Sequence, residues 1–138
     1  VAKLKILIVD DEKAVRFGIR SFFEAKGCEV VEAGDCRTAE KLCLQTRPDF
    51  AILDLKLPDG DAISLLSRFK EIDPELPVII LTGHGSIDLA VQAVKEGAEH
   101  FLTKPVELPA LHAMVERATE HQRNRRKQHA GRTRSGRE

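Results

Sequence analysis

Five short apolar runs, each followed by a stretch of helical spacing, constrain this chain more than any other feature. Leu4 to Val9, Glu29 to Ala33, Phe50 to Leu53, Val78 to Leu81 and His100 to Thr103 have the length and composition of strands. Between them, apolar residues recur every three or four positions: Val15, Ile19, Phe22 and Phe23; then Ala39, Leu42 and Cys43; then Ile63, Leu65, Leu66 and Phe69. A fourth helix is expected from Ser86 to Glu96, and a fifth from near Leu108, with Leu111, Val115 and Ala118 on one stripe. Gly27, Pro48, Pro74 and Gly97 stand where helices should stop, Asp35 and Ser86 where they should be capped, and Pro109 in a first turn. Strand and helix alternate with no long internal loop. That pattern predicts an α/β fold: one three-layer domain, a five-stranded parallel sheet flanked by five helices and linked by right-handed crossovers. At 138 residues the chain can bury one full core but not two.

In such a sheet all strands point the same way, so residues just past the strand ends share one rim, where functional groups collect. The third run is the most telling: Phe50-Ala51-Ile52-Leu53 leads straight into Asp54 and then, after Lys56, into a Pro58-Asp59-Gly60 turn. The same rim carries Asp10 and Asp11 after the first strand, Thr82 after the fourth and Lys104 after the fifth. Asp10 and Asp11 could also cap the first helix, a role compatible with holding metal. Converging carboxylates repel one another unless a divalent cation sits among them. Hard oxygen ligands with room for water favour Mg2+, with Mn2+ as a substitute. Asp11 and Asp54 are then the expected direct ligands, with Asp10 outside them and the Lys56 backbone carbonyl completing the set. An aspartate can act as a nucleophile toward a phosphoryl group. Asp54 is the candidate, and Lys104 and the Thr82 hydroxyl would hold the transferred oxygens.

These residues, in this order, resemble the receiver domain of two-component response regulators over about residues 3–122. The resemblance implies a flavodoxin-like sheet of order 2-1-3-4-5 and phosphorylation of Asp54 by a sensor histidine kinase. It also implies a cis Lys104–Pro105 bond and a switch aromatic at Phe101, which moves inward as Thr82 engages the phosphoryl group. Phe101 stands where many members have Tyr, which rules out an outward hydroxyl contact. From Gly83 to Pro105, Gly-His-Gly-Ser-Ile-Asp, Ala-Val-Gln-Ala and Phe-Leu-Thr-Lys-Pro are similar to the receivers of nitrogen-regulator-type (sigma-54-dependent) transcription activators. The expected role is therefore a phosphorylation-operated switch, not an enzyme beyond self-phosphorylation from small phosphodonors and self-dephosphorylation. A homodimer contact is expected through the helix from Ile87 and the last helix, with a transcription-regulating output module outside this chain.

The net charge of zero conceals an asymmetry: residues 1–120 carry 15 basic and 21 acidic side chains, residues 121–138 seven basic and one acidic. Residues 1–122 are thus expected to form the receiver and 123–138 a basic linker or disordered tail toward the output module. No apolar stripe would fold that tail into a nucleic-acid reader, and the absence of Trp and Tyr removes the usual stacking residues. Because the chain starts at Val1, it is expected to be a piece of something longer. Cys28, Cys36 and Cys43 lack zinc or CxxC spacing and read as reduced thiols in a cytoplasmic compartment. No run is long enough for a membrane helix. His84, between glycines, is expected to be exposed, not catalytic. The competing enzyme class is a phosphohydrolase of haloacid-dehalogenase type, which needs a second Asp two residues after its nucleophile. Lys56 occupies that position here.

Overall fold

The computed structural model describes residues 3–83 and 86–120. Its strands are β1 (Lys5–Val9), β2 (Glu29–Ala33), β3 (Phe50–Asp54), β4 (Lys56–Leu57), β5 (Gly60–Asp61), β6 (Val78–Thr82) and β7 (His100–Thr103). The helices are α1 (Lys13–Ala25), α2 (Cys36–Thr46), α3 (Ala62–Ile72), α4 (Ile87–Lys95) and α5, residues 108–120. Strands β4 and β5 form only a two-residue antiparallel ribbon around the Pro58-Asp59 turn. The main sheet is parallel, with order β2-β1-β3-β6-β7, which is 2-1-3-4-5 when its own five strands are counted.

Burial on both faces explains why the central strands read as continuous apolar runs. Successive side chains on a strand point to opposite faces, so each run feeds two cores. Leu7, Val9, Ala51, Leu53, Val78 and Ile80 pack with Ala39 and Cys43 of α2, Leu66 and Phe69 of α3, and Ala90 and Ala93 of α4. Their neighbours Ile6, Ile8, Phe50, Ile52, Ile79 and Leu81 pack with Ile19 and Phe23 of α1 and with Leu111 and Val115 of α5. The chain places β2 and β3 on opposite sides of β1, so a crevice opens beyond the carboxyl ends of β1 and β3.

Local chemistry sets the helix ends. Asp35 caps α2, its Oδ1 accepting the Thr38 N–H at 2.7 Å, as its position predicts. Asp61 does the same for α3 at Ile63 N, 2.9 Å. Gly27 and Gly97, at φ of 88° and 122°, take the left-handed turns that follow α1 and α4. Two capping expectations fail. Ser86 precedes α4 but makes no side-chain cap bond, and neither Asp10 nor Asp11 caps α1, whose flanking residue is Glu12. Asp10 Oδ1 instead accepts the Glu12 N–H at 2.8 Å, closing a tight local turn before the helix begins.

A surface ion network ties α1 to β2. Glu32 lies between Arg16 Nε at 3.0 Å and Arg20 Nη1 at 2.5 Å, and Arg20 also reaches Glu24 at 3.1 Å. The Arg20 hydrogen bond, helped by Arg16 and opposed by partial burial, holds the Glu32 carboxyl below its ordinary value. A lowered carboxyl pKa contributes stability that is present above the unfolded-state value and disappears as pH falls through the folded one. Glu32→Gln is therefore expected to lower stability by about 1 kcal/mol at neutral pH, given the network's part exposure. The gap from the wild type should close in acid, as thermal unfolding across pH would show.

Candidate functional site

The crevice assembles from four strand ends. Asp10 follows β1 and is fully buried, Asp54 ends β3 at 4% exposure, and Thr82 ends β6 fully buried. Lys104 follows β7, and its backbone N–H donates to the Thr82 carbonyl at 2.8 Å, carrying the parallel pairing one residue past the strand. Its side chain reaches back across β6 to the middle of the rim. There Nζ lies 3.0 Å from Asp10 Oδ2, 3.2 Å from Asp54 Oδ2 and 3.4 Å from Glu12 Oε1. The Asp10 contact is an ion pair without hydrogen-bond geometry, leaving buried Oδ2 short of a donor. Asp54 Oδ1 accepts the Lys56 backbone N–H at 3.3 Å.

Electrostatics follow from this burial. Desolvation, then the charge of Asp10, push the Asp54 carboxyl above its ordinary value, while Lys104 and the Lys56 N–H pull the other way. Burial works against the Lys104 ammonium, but the hydrogen bonds and charges of Asp10 and Asp54 outweigh it and raise its pKa. Four carboxylates, those of Asp10, Asp11, Glu12 and Asp54, thus surround a single ammonium. The oxygens of Asp10, Asp11 and Glu12 all lie within 4.8 Å of one another. An under-donated buried oxygen beside an all-carboxylate cluster fits a hard divalent cation.

The grouping differs from the one expected. Asp10 stands inside the acidic cluster instead of behind it, Glu12 joins it, and Asp54 is linked to it through Lys104. The local turn at Asp10 explains this, because it folds three consecutive acids onto one side. Glu12 is the acid that spacing alone passes over, although its place in an Asp-Asp-Glu run was a usable signal. Thr82 is at the rim, but its Oγ1 donates to the adjacent Gly83 carbonyl at 3.2 Å. Phe101 is partly buried against the core, one turn of groove from Val91 and Val94. The Lys104–Pro105 bond is cis. His84 and the basic tail lie outside the described residues.

Other concavities lack this chemistry. A cavity of about 460 Å3 lies between α2 and α3, bordered by Cys36, Arg37, Asp59 and Arg68. Burial and the nearby Asp59 push the Cys36 thiol up to about 11, which keeps it protonated. All three cysteines are free.

Comparison with known sequences now decides the family. A profile described as "Response regulator receiver domain" matches residues 6–116. The chain belongs to the response regulator receiver family. Among relatives of this receiver is the C4-dicarboxylate transport transcriptional regulatory protein DctD of Pseudomonas aeruginosa. The two are 36% identical over 119 residues, covering 86% of this chain and 26% of that one. The receiver thus spans about a quarter of the length of the curated relatives it matches. A receiver domain protein from Clostridium thermocellum superposes with a TM-score of 0.82 at 35% identity, covering 86% of this chain and 96% of that one. The beryllofluoride-activated NtrC4 receiver domain dimer gives 0.80 at 35% identity, covering 86% and 98%. The family is a signalling domain, and the relatives include transcription regulators. No helix among the described residues is long and apolar enough to cross a membrane.

The bridging role of Lys104 can be measured. Lys104→Met removes the cation that opposes burial, so the Asp54 carboxyl should move further above its ordinary value. Carboxyl 13C NMR titration reads that movement, and an unchanged Asp54 would show that the bridge carries no electrostatic weight.

Proposed function

We propose that this receiver is a phosphorylation-operated switch in which Asp54 accepts a phosphoryl group from the phosphohistidine of a sensor histidine kinase. The observation that carries the reading is the buried Asp54 carboxylate held beside the Lys104 ammonium at the switch point of a receiver sheet. A carboxylate oxygen of Asp54 attacks phosphorus, a P–O bond forms as the P–N bond breaks, and the released histidine nitrogen retains its electron pair. Lys104 faces the charge that gathers on the transferred oxygens. The Thr82 hydroxyl, bonded only to a neighbouring carbonyl, can turn to accept a second role at those oxygens, and Phe101 follows it inward.

Asp10, Asp11, Glu12, Asp54 and the Lys56 carbonyl are the groups that would hold Mg2+, or Mn2+ in its place. The ion's contribution is to neutralise charge on the phosphoryl oxygens. The chain's own acids supply the ligands and Lys104 the remaining positive charge. Residues 1–122 form the receiver in this reading, and 123–138 lead toward an output module that regulates transcription in the cytoplasm. Neither direct nucleic-acid binding nor membrane contact is assigned to the receiver.

The output surface is the face of α4. Leu89, Val91 and Ile87 are 50%, 41% and 39% exposed, and a groove of about 380 Å3 runs between Val91, Val94 and Phe101. Apolar side chains grouped in this way suit a second copy of the receiver, with α5 beside them. A relative described as an activated receiver dimer supports that choice.

Incubation with Mg2+ and acetyl phosphate should add one phosphoryl group by intact mass, and neither Asp54→Ala nor chelated wild type should gain it. Catalytic release of phosphate from a phosphomonoester would instead favour the haloacid-dehalogenase-type phosphohydrolase. Lys56 stands two residues past Asp54 with an exposed side chain beside the site. Lys56→Ala should change the lifetime of the aspartyl-phosphate, followed by loss of the mass adduct with time. An unchanged lifetime would remove Lys56 from the dephosphorylation step.

A further inference from the structure

The acidic cluster depends on the exact placement of Asp10, and one side chain outside the cluster contributes to that placement. Arg16, in the first turn and a half of α1, is 17% exposed and lies flat between three elements. Its Nε pairs with Glu32 Oε1 of β2 at 3.0 Å, and its Nη1 donates to the Asp10 backbone carbonyl at 2.6 Å. A guanidinium can make both bonds at once because its donors are fixed in a planar fork.

The surrounding chain leaves room for this contact. A Cβ built on Gly34 would come within 3.2 Å of Arg16 Nη1 and 3.9 Å of the Asp10 carbonyl oxygen. A side chain at 34 would press on the bond between them. Meanwhile the Asp10 N–H donates to the Ala33 carbonyl at 3.1 Å and Oδ1 takes the Glu12 N–H at 2.8 Å. Oδ2 faces Lys104 at 3.0 Å. Every polar atom of Asp10 therefore has a partner direction, and Arg16 supplies the one that comes from the α1 side chains.

We infer that Arg16 is a positioning residue for the divalent-cation site, acting through the Asp10 carbonyl while Glu32 and the bare backbone of Gly34 hold its guanidinium in place. This rests on the reading of the acidic cluster as a Mg2+ site. Arg16 touches neither the ion nor the phosphoryl group. Its effect is to fix the turn that puts Asp10, Asp11 and Glu12 on one side.

The sign of one measurement separates positioning from mere proximity of charge. Taking a positive group away from a cluster of acids strengthens cation binding by simple electrostatics. Taking away a support that orients a ligand weakens it, by about tenfold for outer partners of metal ligands. Titration of the whole chain with MgCl2, followed by 1H–15N NMR, gives the Kd and reports in the same spectra whether each variant is folded. Arg16→Gln is expected to raise the Mg2+ Kd about tenfold with dispersed, native-like spectra. A Kd that is unchanged or lower in Arg16→Gln overturns the inference. If Arg16→Gln does not fold, Gly34→Ala, which displaces the guanidinium and leaves every acid in place, takes its part. A raised Kd there supports the inference and an unchanged or lowered one overturns it. Absence of Mg2+ binding to the wild type would overturn the cation-site reading itself, and this inference with it, and is a result distinct from a change between variants.

Discussion

The ammonium of Lys104 is the contact on which the crevice depends. Two carboxylates, one fully buried and the other nearly so, face each other at the ends of adjacent strands, and Lys104 lies within 3.2 Å of both. Without a cation there, desolvation and mutual repulsion would favour protonating one acid or opening the rim. The parallel sheet makes the arrangement reachable. It sets β1, β3, β6 and β7 side by side with their carboxyl ends level, and Lys104 is held to β6 by its own backbone before its side chain turns inward.

That geometry links the rim to the protein surface. Thr82 and Lys104 are joined through backbone, Phe101 lies on the same strand as the approach to Lys104, and its ring borders the groove against α4. On the proposed reading, a new charge on Asp54 alters what Lys104 and Thr82 face, and the packed strand carries the change to the α4 face. Close-packed elements respond to such changes by moving between discrete arrangements. The exposed apolar side chains of α4 are where a different arrangement would present a different surface.

Much of this was legible from the chain alone, for identifiable reasons. Strands buried on both faces must be apolar throughout, so Leu4 to Val9, Phe50 to Leu53 and Val78 to Leu81 announce themselves. Asp54, Asp10, Thr82 and Lys104 stood out because each breaks such a run at its end. Capping was less readable: Asp35 behaves as its position predicts, whereas Ser86 and the pair Asp10-Asp11 do not. A polar residue before a helix has several backbone groups to choose from, and Asp10 uses its carboxylate on the Glu12 N–H instead.

The sequence by itself determined the alternation of strand and helix, hence a parallel sheet, and placed three acids, a hydroxyl and a lysine on one rim, because strand polarity is a consequence of local pattern and chain direction. Only the tertiary structure decided which of those groups meet. Glu12 entering the acidic cluster, Lys104 spanning Asp10 and Asp54, and Arg16 holding the Asp10 carbonyl across from Glu32 and Gly34 are all contacts between residues whose separation in the chain carries no signal. Side-chain reach and rotamer choice, set by packing between elements, fix those contacts.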